Sequence, residues 1–259
     1  MSQSIEQLQH QLRSLRLVEV ANHLPNIIQE AESKDWTYRK FLNNLMNYEQ
    51  RRREEKQFEK QFEKRFKWAT FPFNKTLETF NLKEQQSLSK KQLNQLREFT
   101  WIDQLFNLIL LGPPGVGKTH LATGLGIEAL NKGYKVSFVS MGELINLLKT
   151  EEITRKSQAR MKRIRNANLV IIDDLMFMAM DQNEANLFFH LINDLYNNAS
   201  IILTSNKSPN EWGELLGDPA ITTAILDRIV HRAEVIHLNG DSYRMRHRIT
   251  IFGQESVQN

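Results

Sequence analysis

The chain has 259 residues, of which 41% are hydrophobic and 25% are charged, and it contains no cysteine. This composition predicts a globular protein and excludes disulfide bonds, thiolate zinc sites and cysteine nucleophiles. The formal net charge of +4 and the pI of about 9.2 weakly favour a polyanionic partner. No apolar run reaches membrane-spanning length and the first residues lack a signal-peptide pattern, so we expect a cytoplasmic protein without membrane association.

Residues 1–68 predict a small all-helical N-terminal domain, because apolar residues recur at helical spacing from Ile5 onward. A second helix is expected over about 18–31, with Pro25 marking a kink or break. A third begins near Trp36 and continues through the charged stretch 51–67. Phenylalanines four residues apart form a stripe there, which either packs on its own domain or docks a partner or DNA: Phe58, Phe62 and Phe66.

Residues 69–106 are predicted to form a linker, extended around Pro72, and a lead-in helix. Residues 107–259 then alternate apolar strands with amphipathic helices and end in a short C-terminal segment. Strands are expected at 107–111, 134–140, 169–172 and 200–204, with helices between them. Such alternation predicts an α/β fold, in which a parallel sheet is covered by helices on both faces. Ligands of such sheets bind at the carboxyl ends of the strands.

A glycine-rich stretch follows the first predicted strand and fits the phosphate-binding pattern G-x-x-x-x-G-K-[ST]. Its backbone N–H groups and the next helix N-terminus suit a nucleoside triphosphate, and the loop alone does not specify which one. We expect Lys118 to contact the β- and γ-phosphates and assist catalysis, and Thr119 to ligate Mg²⁺. The predicted nucleotide-binding residues are Gly112, Pro113, Pro114, Gly115, Val116, Gly117, Lys118, Thr119 and His120.

Polar residues end two later strands of the predicted sheet. Asp173 is expected to bind Mg²⁺ and Asp174 to orient the attacking water, since a Mg²⁺–triphosphate would compensate these charges. Asn206 is expected to position the water or sense the γ-phosphate. A polar turn at Asp173 and Asp174, and an Asx-turn at Asn206, are the alternative interpretations.

These motifs together resemble the AAA+ ATPases, in particular the IstB-like transposition helper proteins and their relatives, the DnaC/DnaI-type helicase loaders. The most specific stretches are 112–126, 169–175, 202–212 and 224–244, and the Ala-x-Phe-Pro signal at 69–72 also matches. The resemblance implies that Asn206 is sensor 1, Arg228 an arginine finger and Arg244 the sensor 2 position. On spacing alone, both arginines would be assigned to surface salt bridges.

The chain departs from the pattern of these families in three places. Many AAA+ proteins carry Asp-Glu where this chain has Asp173 and Asp174, so a slow hydrolysis is expected. Leu195 replaces the arginine that relatives often carry before the sensor 1 strand. The zinc-binding N-terminal domain of some helicase loaders is excluded by the lack of cysteine.

Residues 149–165 are the predicted DNA contact, because the basic residues in this stretch outnumber the acidic ones. Related initiators and loaders place a helical insertion here. No aromatic residue interrupts the stretch, so we expect contact with duplex phosphates and little sequence preference. A solvated amphipathic helix is the alternative. The predicted contacts are Lys149, Arg155, Lys156, Arg160, Lys162, Arg163 and Arg165.

The leading functional hypothesis is an ATP-dependent, DNA-binding helper of a transposase that assembles into an oligomer when ATP binds between subunits. Hydrolysis would release the assembly. The first alternative is a replicative helicase loader. The second is a nucleotide-gated DNA scaffold with little turnover.

Overall fold

A computed structural model describes residues 4–82, 85, 87–175, 180–214, 219–246 and 248. The chain divides into two compact units, Met1–Lys64 and Arg65–Asn259. Within the described ranges, no helix is long and apolar enough to cross a membrane.

The first unit is helical, as its apolar periodicity predicts. Helix α1 spans Ile5–Ser14, α2 spans Val18–Ser33 and the long α3 spans Tyr38–Ala69, with its last residues in the second unit. Helix α2 continues through Pro25, so the predicted break at this position is wrong. The core of the unit consists of apolar side chains from α2 and α3: Val20, Leu24, Ile27 and Leu45.

A buried carboxylate joins α2 to α3. Leu17, at the N-cap of α2, offers no side-chain cap, and Glu49 of α3 instead accepts a hydrogen bond from the N–H of Val20 at 2.9 Å. The other oxygen of Glu49 pairs with Arg53 at 2.7 Å. Glu49 therefore satisfies a helix-end donor that would otherwise be buried without a partner.

The second unit is built on a five-stranded parallel sheet with the order β2-β3-β4-β1-β5. The strands are β1 Asn107–Leu111, β2 Val136–Ser140, β3 Leu169–Asp173, β4 Ser200–Ser205 and β5 Ala233–His237. The first four were predicted from buried apolar runs. The fifth is an edge strand whose side chains are mostly exposed, so it gives no such run.

Helices cover both faces of this sheet. The α-helices that follow α3 in the described residues are α4 Lys90–Glu98, α5 Thr100–Asp103, α6 Lys118–Asn131, α7 Met141–Thr150, α8 Arg155–Arg165, α9 Gln182–Leu195, α10 Pro219–Val230 and α11 Tyr243–Arg246. Helices α7 to α10 share one core with Val170 and Ile172 of β3. Helix α6 packs on the opposite face, where Gly126 lies against Ile171. The predicted α/β architecture is confirmed.

The segment after α3 is fastened to the sheet. Ala69 is fully buried, and the Thr70 hydroxyl donates to the carbonyl of Phe138 at 2.9 Å. The ring of Phe71 lies between Phe66 and Phe138, with centroid distances of 5.5 and 6.3 Å. The phenylalanine stripe of α3 is thus divided, since Phe66 is packed in the second unit whereas Phe58 is 53% exposed in the first.

Candidate functional site

The glycine-rich loop connects β1 to α6 at the carboxyl end of the sheet, as predicted. Gly115 has a φ of 87°, a conformation that side chains with a Cβ adopt at a cost. A Cβ on Gly112 would overlap the carbonyl oxygen of Leu238, and one on Gly115 would overlap the Ser242 hydroxyl. The glycines therefore permit both the shape of the loop and the close approach of the segment that follows β5.

Lys118 starts α6 and folds back over the loop. Its Nζ donates to the carbonyl oxygens of Gly112 at 2.6 Å and Pro113 at 2.9 Å. Burial lowers the pKa of Lys118, and the nearby carboxylates of Asp174 and Asp173 oppose this fall. An ammonium held by two loop carbonyls at a helix N-terminus is suited to exchange these carbonyls for phosphate oxygens.

Asp173 ends β3 beside the loop. Its Oδ1 accepts hydrogen bonds from the hydroxyls of Thr119 at 2.9 Å and Thr204 at 2.7 Å. Burial raises the pKa of the Asp173 carboxyl, the two hydroxyl donors lower it, and the charge of Asp174 raises it further. No site role was predicted for Thr204, although it lies in the 202–212 stretch that carries the resemblance; it reaches Asp173 from the neighbouring strand β4.

The pair of Thr119 and Asp173 fits a divalent cation. The hydroxyl oxygen and the carboxylate oxygen are already within hydrogen-bond distance, and both are hard ligands that Mg²⁺ accepts. In the described part of the chain, no group of three or more His, Asp and Glu side chains is placed to hold a metal. A cation here would take its remaining ligands from phosphate and water.

Asp174 follows in a left-handed conformation with a φ of 59°. Its N–H donates to the Thr204 hydroxyl at 2.8 Å, and the N–H of Leu175 donates to the Thr204 carbonyl at 2.9 Å. Thr204 thereby fixes the backbone on which the exposed Asp174 carboxylate stands. An acid in this position is free to orient a water molecule.

Seven of the nine predicted nucleotide-binding residues of the loop, those at 114–120, line one cavity of about 750 Å³. This volume falls within the range of small-ligand pockets. Asn206 and Arg244 line it together with the loop and the two acids, which places both predicted sensors at the cavity. Gly112 and Pro113 do not line the cavity, but their carbonyls hold Lys118.

One wall of the cavity comes from the segment that precedes β1. Phe80 lies 3.2 Å from a Cβ built on Gly117 and meets the ring of His120 edge to face. The His120 ring also contacts the Thr76 carbonyl and the Thr79 hydroxyl, both at 3.1 Å, and burial lowers its pKa. The sequence predicts a linker and a lead-in helix over 69–106, and that prediction does not place the segment at the site. Its wall residues include Phe73, Lys75, Thr79, Phe80 and Gln85.

Arg228 does not line this cavity. It lies in the last turn of α10, where its guanidinium stacks on the ring of Phe189 at 4.9 Å. Nε donates to Asn193 Oδ1 at 3.1 Å and Nη1 to the carbonyl of Ala224 at 2.9 Å. The chain therefore does not bring Arg228 to its own phosphate loop.

The predicted DNA-contacting stretch requires a correction at Arg160. This side chain is buried, and its guanidinium donates to the Trp68 and Phe138 carbonyls and to the Ser137 and Thr70 hydroxyls. Burial lowers its pKa, and Glu143 opposes the fall. Arg160 faces inward together with Ser157, Met161 and Ile164, so its assignment to DNA is wrong.

The other basic residues of the stretch stay at the surface in two groups. Lys149 pairs with Glu184 at 2.9 Å, and Arg165 pairs with Glu151 and with Asp194. The remaining four basic residues form two adjacent pairs that are seven residues apart, so they share one exposed face of α8: Arg155, Lys156, Lys162 and Arg163.

Comparison with known proteins places this site in a family context. The family model for the IstB-like ATP binding protein matches residues 10–250. An IS21-like putative ATP-binding protein of an insertion sequence from Bacteroides fragilis is 37% identical over 95% of this chain and 92% of its own length. The corresponding IS21 putative ATP-binding protein of Pseudomonas aeruginosa is 35% identical over 93% of this chain and 90% of its own length.

Solved structures share the fold of about two thirds of the chain. DnaI aligns with a TM-score of 0.54 and 19% identity over 66% of this chain and 91% of its own. The DnaC helicase loader aligns with a TM-score of 0.51 and 23% identity, over 64% of this chain and 98% of its own. AMPPCP-bound DnaA from Aquifex aeolicus aligns with a TM-score of 0.52 and 21% identity, over 66% of this chain and 52% of its own. The fold is thus that of the P-loop AAA+ proteins, and the match over residues 10–250 shows that the chain belongs to the IstB-like ATP-binding protein family.

Proposed function

We propose that this chain is an ATP-dependent DNA-binding ATPase that helps a transposase. The observation that carries the proposal is the meeting of Lys118, Thr119, Asp173 and Asp174 at one cavity while Arg228 lies elsewhere. Such a site holds a nucleotide but lacks the guanidinium that an arginine finger supplies to the phosphates. A neighbouring subunit completes it, so ATP links binding to assembly.

The residues of the site divide the work of hydrolysis. Lys118 leaves its two carbonyl acceptors and neutralises the β- and γ-phosphates. Thr119 and Asp173 would hold Mg²⁺, which would supply charge neutralisation on the phosphate oxygens. Asp174 orients the attacking water, with Asn206 beside it, and Arg244 contacts the phosphates of its own subunit. Because aspartate is shorter than glutamate, we expect slow turnover that acts as a release switch.

DNA contact is assigned to the exposed face of α8. Its four basic side chains are suited to bind phosphates, and a ring or spiral of subunits would add their contributions. The guanidinium of Arg163 lies 5.4 Å from the Trp68 ring, which limits its motion. Phosphate contacts carry no base information, so duplex should bind with little sequence preference.

The partner follows from the relatives, which are named as ATP-binding proteins of insertion sequences. An insertion sequence moves by means of a transposase, and we propose that this chain presents target DNA to it. A gel shift on long duplex tests the proposal: ATP should strengthen it, and single strands should bind weakly. Preference for single strands, or no effect of ATP, would contradict it.

A helicase loader is the second candidate, since DnaI and DnaC share the fold. These structures align with about two thirds of the chain, whereas the insertion-sequence relatives align over more than nine tenths. Co-purification with a replicative helicase would favour this second function. A third candidate, a scaffold without useful turnover, would gain if Asp174→Asn left phosphate release unchanged at background level.

A further inference from the structure

The guanidinium of Arg228 rests on two side chains of the neighbouring helix α9. Phe189 and Asn193 lie four residues apart on α9 and therefore face the same way. The ring of Phe189 carries the guanidinium on its face at 4.9 Å, and Asn193 Oδ1 accepts from Nε at 3.1 Å. Ala224, one turn earlier on α10, accepts from Nη1 at 2.9 Å.

These contacts fix the plane of the guanidinium and use two of its N–H donors. A flat ring under the group restricts tilt, and a hydrogen bond at Nε restricts rotation about the last side-chain bonds. A guanidinium carries further N–H donors on Nη1 and Nη2, beyond the two used here. The group is half-buried, so these donors can meet a phosphate presented by another molecule.

We propose that Phe189 and Asn193 are positioning residues that orient Arg228 for the nucleotide of a neighbouring subunit. The inference rests on the proposed function, because it needs a site shared between subunits. A guanidinium that is already oriented loses less entropy when it meets the phosphate. A residue that only stabilised the end of α10 would lower the melting temperature without changing turnover at a neighbour's site.

Single variants give the first half of the test. Asn193→Ala and Phe189→Leu should each lower kcat about ten-fold, while the KM for ATP and the binding of a fluorescent ATP analogue stay unchanged. Arg228→Ala should lower kcat at least as much. Phe189→Tyr keeps the ring and should retain turnover. Asn186→Ala is the matched control, because Asn186 is exposed on the same helix and its side chain donates to the carbonyl of Gln182 in its own helix.

Mixed subunits give the second half. Asp174→Asn subunits should bind ATP and provide an intact Arg228, but hydrolyse nothing themselves. Added in excess, they should restore turnover at the sites of Asn193→Ala, Phe189→Leu and Arg228→Ala subunits. Failure to restore Arg228→Ala would overturn the shared site of the proposed function, and the inference with it. If turnover is restored in Arg228→Ala, two results would overturn the inference alone. One is a wild-type kcat in both α9 variants. The other is a lowered kcat in the α9 variants that the Asp174→Asn subunits do not restore.

Discussion

Thr204 connects both acids of the site, and removing its hydroxyl is the sharpest local perturbation that the structure offers. The side chain is 1% exposed, donates to Asp173 Oδ1 at 2.7 Å and accepts from the N–H of Asp174 at 2.8 Å. Thr204→Val keeps the volume and loses both hydrogen bonds. It leaves the phosphate loop, Asp173, Asp174 and Asn206 in place.

The expected magnitude follows from the two lost bonds. A hydrogen bond to a charged group contributes about 1.5–3 kcal/mol and a neutral one about 1 kcal/mol. The N–H of Asp174 and the Asp173 carboxylate retain partial access to other partners, so we expect the free energy of unfolding to fall by roughly 1–3 kcal/mol. If the same interaction energy is lost in the transition state, kcat/KM for ATP should fall about five- to 150-fold, since about 1.4 kcal/mol corresponds to ten-fold in rate.

The same variant changes the pH dependence. The Thr204 hydroxyl opposes the rise that burial imposes on the pKa of Asp173. Without it that pKa rises further, so the carboxylate becomes protonated at a higher pH and releases Mg²⁺ there. The acidic limb of the pH–rate profile should therefore move to higher pH.

Phosphate release across a pH series, with thermal melting beside it, measures both effects. Thr204→Ser is the control, because it keeps the hydroxyl and should retain turnover and the position of the acidic limb. Wild-type kcat/KM and an unmoved acidic limb in Thr204→Val would refute the role assigned to this hydroxyl.

Three further predictions concern the loop and α8. Gly115→Ala forces a Cβ against Ser242 at a positive φ, so it should cost about 1–3 kcal/mol of stability and abolish binding of fluorescent ATP; unaltered binding would refute the close packing. Arg160→Met removes buried donors from carbonyls and hydroxyls and should cost roughly 2–4 kcal/mol in denaturant unfolding, whereas an unchanged midpoint would show that the group is not structural. Lys162→Glu with Arg163→Glu should leave melting unchanged but weaken duplex binding and flatten its salt dependence by about one unit of log–log slope per lost phosphate contact; an unchanged slope would remove α8 from the DNA surface.

Residues in motifs with strict spacing could be placed from the sequence. The phosphate loop, Asp173 and Asp174 lie where the pattern puts them, because a strand that ends in such a loop has few possible geometries. Asn206 and Arg244 also line the cavity. The roles of these two residues were predicted partly from the family resemblance, because the sequence pattern of the preceding element does not indicate a chemical role.

The remaining parts of the site depend on contacts between distant segments. Thr204 reaches the cavity from β4, inside the 202–212 stretch, and Phe80 reaches it from the segment that precedes β1; neither residue type marks a nucleotide site by itself. Arg160 was misassigned because charge was counted along the stretch without regard to the helix face. Its spacing to Met161 and Ile164 matches a buried stripe of α8, and that periodicity would have assigned it to the interior.

The central claim is that ATP at the phosphate loop drives assembly on duplex DNA through a site shared between subunits. Particle mass on a long duplex, measured with and without ATP for the wild type and for Lys118→Ala, tests it most directly. The wild type should form large assemblies on the duplex only with ATP, and Lys118→Ala should stay small in both conditions. Lys118→Ala assemblies of wild-type mass on duplex with ATP would contradict the claim.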